Sequence, residues 1–173
     1  VTQAKCHGCG ACVAECPHNA ITQDHFTDPQ IVAQLHELLK DKPEEKILVF
    51  MCNWCSYAGA DSAGTSHFGY PASSRGIRVM CSARMDSDFV LEAFRQGAGM
   101  VLVSGCHSQD CHYITGQQVA AKRFGRVPRA LERLGINPER FRVEWISAAE
   151  GEKHARVITG MDAKLASLDQ EEL

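Results

Sequence analysis

The stretch KILVFMCNWC, residues 46–55, decides the fold. Its first part, KILVFMC, is a short apolar run that ends on a cysteine, and a second cysteine follows two residues later. Short apolar runs bounded by turn signals are typical of buried strands. Three further runs of this kind follow, and two of them also end on a cysteine: IRVMC (77–81), GMVLVSGC (99–106) and RFRVEWIS (140–147). The chain therefore predicts four strands.

Helical patterns separate these runs. The predicted helices cover about 54–63, 87–97, 112–135 with an interruption at Pro128, and 149–168, and a loop covers 64–76. Strands that alternate with helices predict an α/β fold, in which a parallel sheet of about four strands has helices on both faces. The acidic tail after the last helix is expected to fray.

The N-terminal end carries a different pattern, CHGCGACVAEC at 6–16, followed by a proline. The spacing Cys6-x2-Cys9-x2-Cys12-x3-Cys16-Pro17 is that of bacterial ferredoxins, whose thiolates bind a [4Fe–4S] cluster. A zinc knuckle is the alternative, because closely spaced cysteines also bind zinc. Residues 1–26 are interpreted as a small ferredoxin-like segment.

Ligand sharing complicates this first cluster. In two-cluster ferredoxins the fourth cysteine of such a run binds the other cluster. We therefore expect Cys6, Cys9 and Cys12 to hold one cluster, and Cys16 to serve a neighbour whose other ligands come from upstream or from a partner. The chain opens at Val1 with no such upstream run. We expect it to be a piece of a longer polypeptide, a processed chain, or a fragment whose partner half was lost.

A connecting helix is predicted at 27–45. Thr27 or Asp28 can cap it, and Pro29 suits its first turn. Its apolar residues recur at helical spacing and form one stripe, which predicts that the helix docks on the following domain: Ile31, Val32, Leu35, Leu38 and Leu39. The predicted organisation is thus a ferredoxin-like segment (1–26), a connecting helix (27–45) and an α/β domain (46–173).

The five remaining cysteines follow the strands. Cys52, Cys81 and Cys106 fall at predicted strand ends, and Cys55 and Cys111 lie in the segments just beyond. The carboxyl edge of an open parallel sheet is where ligands bind, and several thiols there make a soft metal site. A zinc ion and a [2Fe–2S] cluster each need four ligands, so one of the five is in excess. The iron–sulfur interpretation is preferred, because it gives the first cluster an onward electron partner.

Other interpretations stay open. Buried cysteines can act as small hydrophobic residues. Cys52 and Cys55, at the start of a helix, resemble a dithiol oxidoreductase motif, which would leave the other three thiols unexplained. A structural zinc module is a further alternative. Among the neighbouring residues, His107 and His112 are expected to hydrogen-bond the cluster or cap a helix rather than to form a Rieske-like site.

Smaller predictions concern the side chains around this site. Arg84 is expected to hydrogen-bond the cluster or to pair with Asp86. Asp86 and Asp110 are expected to cap the helices that follow them. Trp54, Tyr57 and Tyr113 are expected to pack around the site. No residue pattern supplies an open ligand position with a general base, so no catalytic residue is predicted.

Composition excludes several classes of protein. The net charge is −3, and no basic stripe is evident, so nucleic acid is not an expected partner. No apolar run reaches the length of a membrane span. Nine cysteines, an odd number with metal-type spacing, argue against a disulfide framework. The thiols suit a reducing, anaerobic cytoplasm.

Several segments resemble the delta subunit of F420-non-reducing (methyl-viologen-reducing) hydrogenase. They are FMCNWCSYAGAD (50–61), YP (70–71), IRVMCSARMD (77–86), FVLEAFRQGA (89–98) and VSGCHSQDCHYITG (103–116). CHGCGACVAECPHNAI followed by HFTDPQI resembles the C-terminal ferredoxin end of the A-type subunit of heterodisulfide reductase. Together they resemble the tail of a polypeptide in which that reductase subunit is fused to the delta subunit, or a stand-alone relative of it.

The resemblance implies a role in methanogenesis. The delta subunit carries a [2Fe–2S] cluster, which places the ligands among Cys52, Cys55, Cys81, Cys106 and Cys111. It passes electrons from a hydrogenase or formate dehydrogenase towards the flavin of heterodisulfide reductase, where electron bifurcation occurs. The flavin-binding part of that reductase is not expected here, because no G-x-G-x-x-G follows a strand.

Overall fold

Four parallel strands form a single sheet in the order β2-β1-β3-β4. The structure is a computed structural model that describes residues 2–168. The strands are β1 (Ile47–Cys52), β2 (Ser74–Val79), β3 (Met100–Gly105) and β4 (Phe141–Trp145). In the register, Phe50 of β1 is paired with Ile77 of β2 and with Val103 of β3.

Seven α-helices accompany the sheet in the described part of the chain: α1 (Ala11–Ala14), α2 (Asp28–Leu38), α3 (Ala58–Thr65), α4 (Ser87–Arg95), α5 (Gly116–Phe124), α6 (Val127–Arg133) and α7 (Gly151–Leu165). Short 3-10 turns cover Gln3–Lys5, Pro43–Glu45, Ser82–Arg84 and Pro138–Arg140. The predicted α/β class, with strands and helices in alternation, is confirmed.

The central strand β1 shows why helices cover both faces. All six of its residues are buried. Because side chains alternate across a strand, Leu48 and Phe50 enter one core, with residues of α2, α4, α5 and α6. Ile47, Val49 and Met51 enter the other core, with residues of α7. A strand buried on both faces reads as a continuous apolar run, which is what 47–51 shows.

The connecting helix α2 begins and docks as its sequence predicts. The Thr27 side chain accepts a hydrogen bond from the Gln30 backbone, and the Gln30 side chain accepts one from the Thr27 backbone, which forms a capping box. Ile31, Leu35 and Leu39 are buried in the core that also holds Phe50. Helix α2 is therefore part of the packed structure. The predicted division at 26 and 45 stays a prediction.

Three element boundaries differ from the sequence-based ones. Strand β2 starts at Ser74 and ends at Val79, so Cys81 lies two residues beyond the strand. The segment after β1 begins as a π-helical turn, Asn53–Tyr57, before α3 starts. The break in 112–135 falls at 125–126, and Pro128 lies in the first turn of α6, where a proline is tolerated. The acidic tail predicted to fray lies outside the described residues from 169 onward.

Candidate metal centre

Thiols gather at the carboxyl edge of the sheet. Cys52 ends β1 and Cys106 directly follows β3, and their sulfur atoms are 3.6 Å apart. Cys111 packs against both, and all three are buried. Cys55 is half-buried against the same group. Four of the five predicted thiols therefore form one cluster, because parallel strands bring their ends to the same edge.

Cys81 lies at the side of this cluster, next to Gly116 at the start of α5. A β-carbon built on Gly116 would lie 2.3 Å from the Cys81 sulfur and 3.4 Å from the Cys111 sulfur. Glycine is needed there, because any side chain would displace a thiol. The backbone N–H of Gln117 in the same turn donates to the Cys111 sulfur over 3.3 Å. The start of α5 thus supports both Cys81 and Cys111.

Hydrogen-bond donors face several of the sulfur atoms. The Ser56 hydroxyl and backbone N–H each lie 3.5 Å from the Cys52 sulfur, and the same hydroxyl donates to the Ser104 carbonyl over 3.0 Å. The Ala83 N–H lies 3.5 Å from the Cys81 sulfur. Donors around sulfur stabilise thiolates and tune a bound metal. This environment suits thiolate ligation better than inert apolar packing does.

Protonation differs among these thiols. Hydrogen bonding from Cys106 lowers the pKa of Cys52 to about 5, and the same contact raises the pKa of Cys106. Burial raises the pKa of Cys81 to about 12 and also raises that of Cys55. Without a metal, the contact with Cys106 therefore favours the thiolate form of Cys52, whereas Cys55, Cys81 and Cys106 hold their protons more strongly than free thiols do. A bound metal centre would replace these protons, since ligation requires deprotonated thiols.

The sulfur atoms lie near one another but do not surround a single metal position. Within residues 2–168, no three or more histidine, cysteine, aspartate or glutamate side chains are arranged so that they could hold a single metal ion. The thiols are thus brought together without a closed coordination shell around one point.

Aromatic side chains cover the outer side of the thiols. Trp54 stacks on His112 with ring centroids 4.0 Å apart, and its indole N–H donates to the Tyr113 hydroxyl over 3.0 Å. Tyr113 itself packs on the cysteine cluster. Tyr57 is 40% exposed and lies under the Arg78 guanidinium, 5.1 Å from it. The predicted packing near the site is observed for Trp54 and Tyr113, whereas Tyr57 packs on Arg78 instead.

Other neighbours differ from expectation. Asp86 caps α4 by accepting from the Asp88 N–H, as predicted. Asp110 does not cap α5, whose N-cap residue is Thr115. His107 pairs with Glu150 over 2.6 Å, and hydrogen bonds from Ser147 and His107 lower the Glu150 pKa to about 2. His107 therefore ties the loop after β3 to the start of α7.

The ferredoxin-type thiols lie in a separate loop at the surface. Cys6 and Cys12 are exposed, and Cys9 and Cys16 are half-buried. The Ala20 N–H donates to the Cys16 sulfur over 3.4 Å, and this bond, with one from His18, lowers the Cys16 pKa. Such backbone donors are what a cluster-binding cysteine needs. The four thiols remain candidates for the predicted [4Fe–4S] cluster.

Arg84 joins this loop to the α/β domain. The predicted pairing with Asp86 is wrong, because the Arg84 side chain is fully buried and turns to the connector instead. It donates to the Phe26 carbonyl and pairs with Asp28, and its stem packs on Gly10. Gly10 has φ +78°, and a β-carbon there would lie 2.6 Å from the Arg84 Cδ. Glycine at 10 therefore permits the loop to lie on the arginine.

The two groups of thiols are consequently neighbours. Cys9 lies close enough to raise the pKa of Cys81 by charge repulsion, after the larger effect of burial. A second arginine, Arg123, donates to the Ala83 carbonyl over 2.9 Å and pairs with Glu15 of the loop. The Nη1 atom of Arg84 is buried with no partner in the described chain. The Arg84 guanidinium, the ferredoxin-type thiols and Cys81 therefore lie in the same part of the molecule.

One surface feature contradicts the sequence-based view that no basic stripe exists. The segment KRFGRVPRALER, 122–133, carries five cations and one carboxylate on helices α5 and α6. Counting charge in a sliding window would have found it. The chain-wide charge of −3 conceals it.

These observations define a cysteine-rich α/β protein with a ferredoxin-type segment docked beside its thiol edge. The chain belongs to the family described as methyl-viologen-reducing hydrogenase, delta subunit, whose model matches residues 47–169. Residues 1–22 match the 4Fe-4S binding domain, so the N-terminal segment is of the iron–sulfur type. The resemblance inferred from the sequence motifs is confirmed.

Three curated relatives come from the two enzyme systems that the sequence motifs resemble. The chain is 46% identical over 141 residues to the A-type subunit of Ferredoxin:CoB-CoM heterodisulfide reductase from Methanosarcina mazei, covering 81% of this chain and 18% of that protein. It is 44% identical over 130 residues to the D-type iron-sulfur subunit of F420-non-reducing hydrogenase from Archaeoglobus profundus, covering 75% and 95%. It is 51% identical over 110 residues to the D-type iron-sulfur subunit of F420-non-reducing hydrogenase vhc from Methanococcus voltae, covering 64% and 76%.

The coverage separates two kinds of relative. The chain spans about a fifth of the length of the reductase subunits that it matches, and nearly the full length of several hydrogenase subunits.

Among residues 2–168, every helix is too short or too polar to cross a bilayer.

Proposed function

We propose that this chain is an electron-transfer module that works between a hydrogenase and a heterodisulfide reductase. The observation that carries the proposal is the cluster of four thiols at the sheet edge with Cys81 at its side, and with a ferredoxin-type loop docked beside them. Two redox centres placed near each other can pass electrons without a substrate site. The names of the relatives, subunits of the two enzyme systems, support the same role.

The first cofactor in this proposal is a [4Fe–4S] cluster on Cys6, Cys9 and Cys12. Cys16 serves a neighbouring cluster whose other ligands come from elsewhere in a longer chain or from a partner. The family match at 1–22 and the 2-2-3 cysteine spacing support this assignment. The backbone N–H groups that face Cys16 favour its thiolate form, which is the form that ligates iron.

The second cofactor is a [2Fe–2S] cluster on Cys52, Cys55, Cys106 and Cys111. These four thiols pack together, whereas Cys81 lies beside them against Gly116. Cys81 is therefore the thiol in excess, at the side nearer the first cluster. Such a cluster supplies one-electron chemistry. The protein supplies donors to its sulfur atoms, and the Trp54, His112 and Tyr113 group limits access of water.

The partners follow from the same proposal. Electrons enter from a hydrogenase or formate dehydrogenase and leave towards a flavin-containing heterodisulfide reductase, where electron bifurcation occurs in methanogenesis. The chain binds no substrate of its own in this scheme. Exposed thiols such as Cys6 and Cys12 fit a reducing, anaerobic cytoplasm, because oxygen attacks accessible clusters and thiolates.

A thiol–disulfide oxidoreductase is the second candidate, and one observation favours it. The pKa of Cys52 is lowered to about 5, as in reactive thiols. The Cys106 sulfur, 3.6 Å from that of Cys52, is a disulfide partner that the Cys52-x-x-Cys55 motif does not indicate. The weakness of this candidate is that it uses two thiols and leaves the rest unexplained.

Metal analysis separates the candidates. Protein purified without oxygen is assayed for iron, zinc and acid-labile sulfide, and EPR spectra are recorded after reduction with dithionite. Iron with matching sulfide and signals of both cluster types is the expected result. Zinc without a redox signal would favour the structural zinc module. A metal-free protein with activity that depends on Cys52 would favour the dithiol candidate, and either outcome would overturn electron transfer.

A further inference from the structure

A groove lies beside the ferredoxin-like loop, where that loop meets helices α5 and α6. Its volume is about 520 Å³. Glu15 of the loop lines one side, and Ser87 at the start of α4 lines another. The long wall consists of Val119, Lys122, Arg126 and Ala130, which recur at a spacing of three or four residues. The groove is therefore a wall formed by α5, α6 and the turn between them, set against the cluster-binding loop.

The charge around this groove is strongly positive. Lys122, Arg126, Arg129 and Arg133 are exposed, and none of them forms an ion pair with any residue from 2 to 168. Arg123 differs, because it is turned inward and paired with Glu15. Glu132 is the single carboxylate within 122–133. Four cations without an ion pair in the described chain thus face solvent on a protein whose net charge is −3.

The groove also has an apolar part. Half-buried Val119 and Ala130 face it, and buried Val127 closes it towards the core. An apolar centre with a charged rim rich in arginine is the composition of protein–protein interfaces. An extended nucleic acid backbone would instead call for cations along a surface without an apolar floor.

We propose that this groove, defined by Val119, Lys122, Arg126 and Ala130, docks a small acidic iron–sulfur protein that exchanges electrons with the ferredoxin-like segment. The identity of the partner as a redox protein rests on the proposed function. The positive charge around the groove favours an acidic partner, because opposite electrostatic potentials speed the association of two proteins and orient them as they meet. The position argues for electron exchange, because Glu15 lines the groove and Cys16 is the next residue.

The test measures binding of a purified acidic two-cluster ferredoxin to the full chain by isothermal titration calorimetry. Both proteins are kept oxidised, so that binding is measured without electron transfer. Arg126→Glu is compared with Arg156→Glu. Both arginines are exposed and lack an ion pair within 2–168, but Arg156 lies on α7, across the sheet from the groove.

The expected result is that Arg126→Glu weakens ferredoxin binding about tenfold, whereas Arg156→Glu changes it by less than about twofold. Binding of the wild type should also weaken steeply with salt, and less steeply in Arg126→Glu. A double variant, Lys122→Gln with Arg126→Gln, removes charge without reversing it and should bind weakly too. Circular dichroism and iron content should match the wild type in each variant.

Three results would overturn the docking surface. They are equal effects of the two arginine reversals, no ferredoxin binding at low salt, and a short DNA duplex that binds more tightly than ferredoxin and displaces it. These outcomes are distinct from failure of the proposed function. If iron and EPR signals are absent, electron transfer fails, yet binding at the groove can still be present. If the signals are normal and binding is absent, only the docking surface fails.

Discussion

The Arg84 side chain donates two hydrogen bonds to the Phe26 carbonyl, from Nε over 3.0 Å and from Nη2 over 2.7 Å. This contact joins residues 58 positions apart and lies at the end of the ferredoxin-like segment. The guanidinium also lies over the Phe89 ring, 5.4 Å from its centroid. One fully buried cation therefore holds the loop, the connector and helix α4 together.

Replacement of this arginine should loosen the N-terminal segment. Lysine cannot make the two hydrogen bonds to Phe26 and the Asp28 pair at once, because it lacks the planar fork. We expect Arg84→Lys to lower the free energy of unfolding by about 2–4 kcal/mol, the cost of breaking a buried charged network. Limited proteolysis should cut within residues 2–26 faster than in the wild type. Urea unfolding measures the stability change.

The same substitution at an exposed site provides the control. Arg95 pairs with Glu92 and is 67% exposed in its side chain. Arg95→Lys should cost much less than Arg84→Lys, because exposed pairs contribute little. Equal stability losses at 84 and 95, or unchanged proteolysis in Arg84→Lys, would show that Arg84 does not hold the segment.

Gly116 offers a test of the thiol edge. A β-carbon at 116 would overlap the Cys81 sulfur at 2.3 Å, whereas its contact with the Cys111 sulfur at 3.4 Å is an ordinary one, so Gly116→Ala should displace Cys81. We expect a stability loss of about 1–3 kcal/mol from overpacking, measured by urea unfolding. Gly160 in α7 is the matched control, since nothing lies within 4 Å of a β-carbon there. Gly160→Ala should stabilise by about 0.5–1 kcal/mol. Stability of Gly116→Ala equal to that of the wild type would contradict the packing argument.

The assignment of the excess thiol is also testable. Cys81 and Cys106 are equally buried, at 2% and 3% exposure, so alanine leaves a similar cavity at each. We expect Cys106→Ala to abolish the [2Fe–2S] EPR signal, because Cys106 lies in the centre of the cluster. Cys81→Ala should retain that signal. If the two variants behave in the opposite way, Cys81 is a ligand and the four-thiol assignment is wrong.

The contact between α2 and α4 predicts a pH dependence. Hydrogen bonds from Arg95 and His36 lower the pKa of Glu92 to about 2. A lowered carboxyl pKa contributes stability above the unfolded pKa of about 4.5, and that contribution is lost as the pH falls from 4.5 towards 2. With solvent screening we expect about 1 kcal/mol at pH 7.

The variant Glu92→Gln isolates this effect. Its stability deficit relative to the wild type, measured by urea unfolding, should be largest at pH 7 and should shrink between pH 4.5 and 3. Glu37→Gln is the control, because Glu37 is 75% exposed and its pair with Lys40 spans 3.7 Å. A Glu92→Gln deficit that stays constant over this pH range would exclude the carboxylate as its cause.

The order of apolar residues and the spacing of cysteines along the sequence were sufficient to predict the fold class and the candidate ligands. Strand β1 is buried on both faces, so its apolar run is continuous and reads directly as a central strand. Cysteine spacing is likewise a local property, and it marks the ferredoxin-type loop without coordinates. The cap of α2 was visible because Thr27 and Gln30 are three residues apart.

The partners of side chains that contact residues far away in the sequence could not be predicted from local patterns. Arg84 has a neighbouring acid at 86, yet it pairs with Asp28, because folding places the connector over its guanidinium. The start of β2 was missed because Ser74, Arg75 and Gly76 lack apolar character on an edge strand.

The sequence by itself determined a parallel α/β sheet, two sets of metal-type cysteines and membership of a family, because these depend on local spacing and periodicity. Only the tertiary structure decided which thiols meet, that Cys81 lies at the side of the other four, and that a cationic groove adjoins the ferredoxin-like loop. The physical reason is that contacts between distant residues depend on strand order and helix packing, which no single segment encodes.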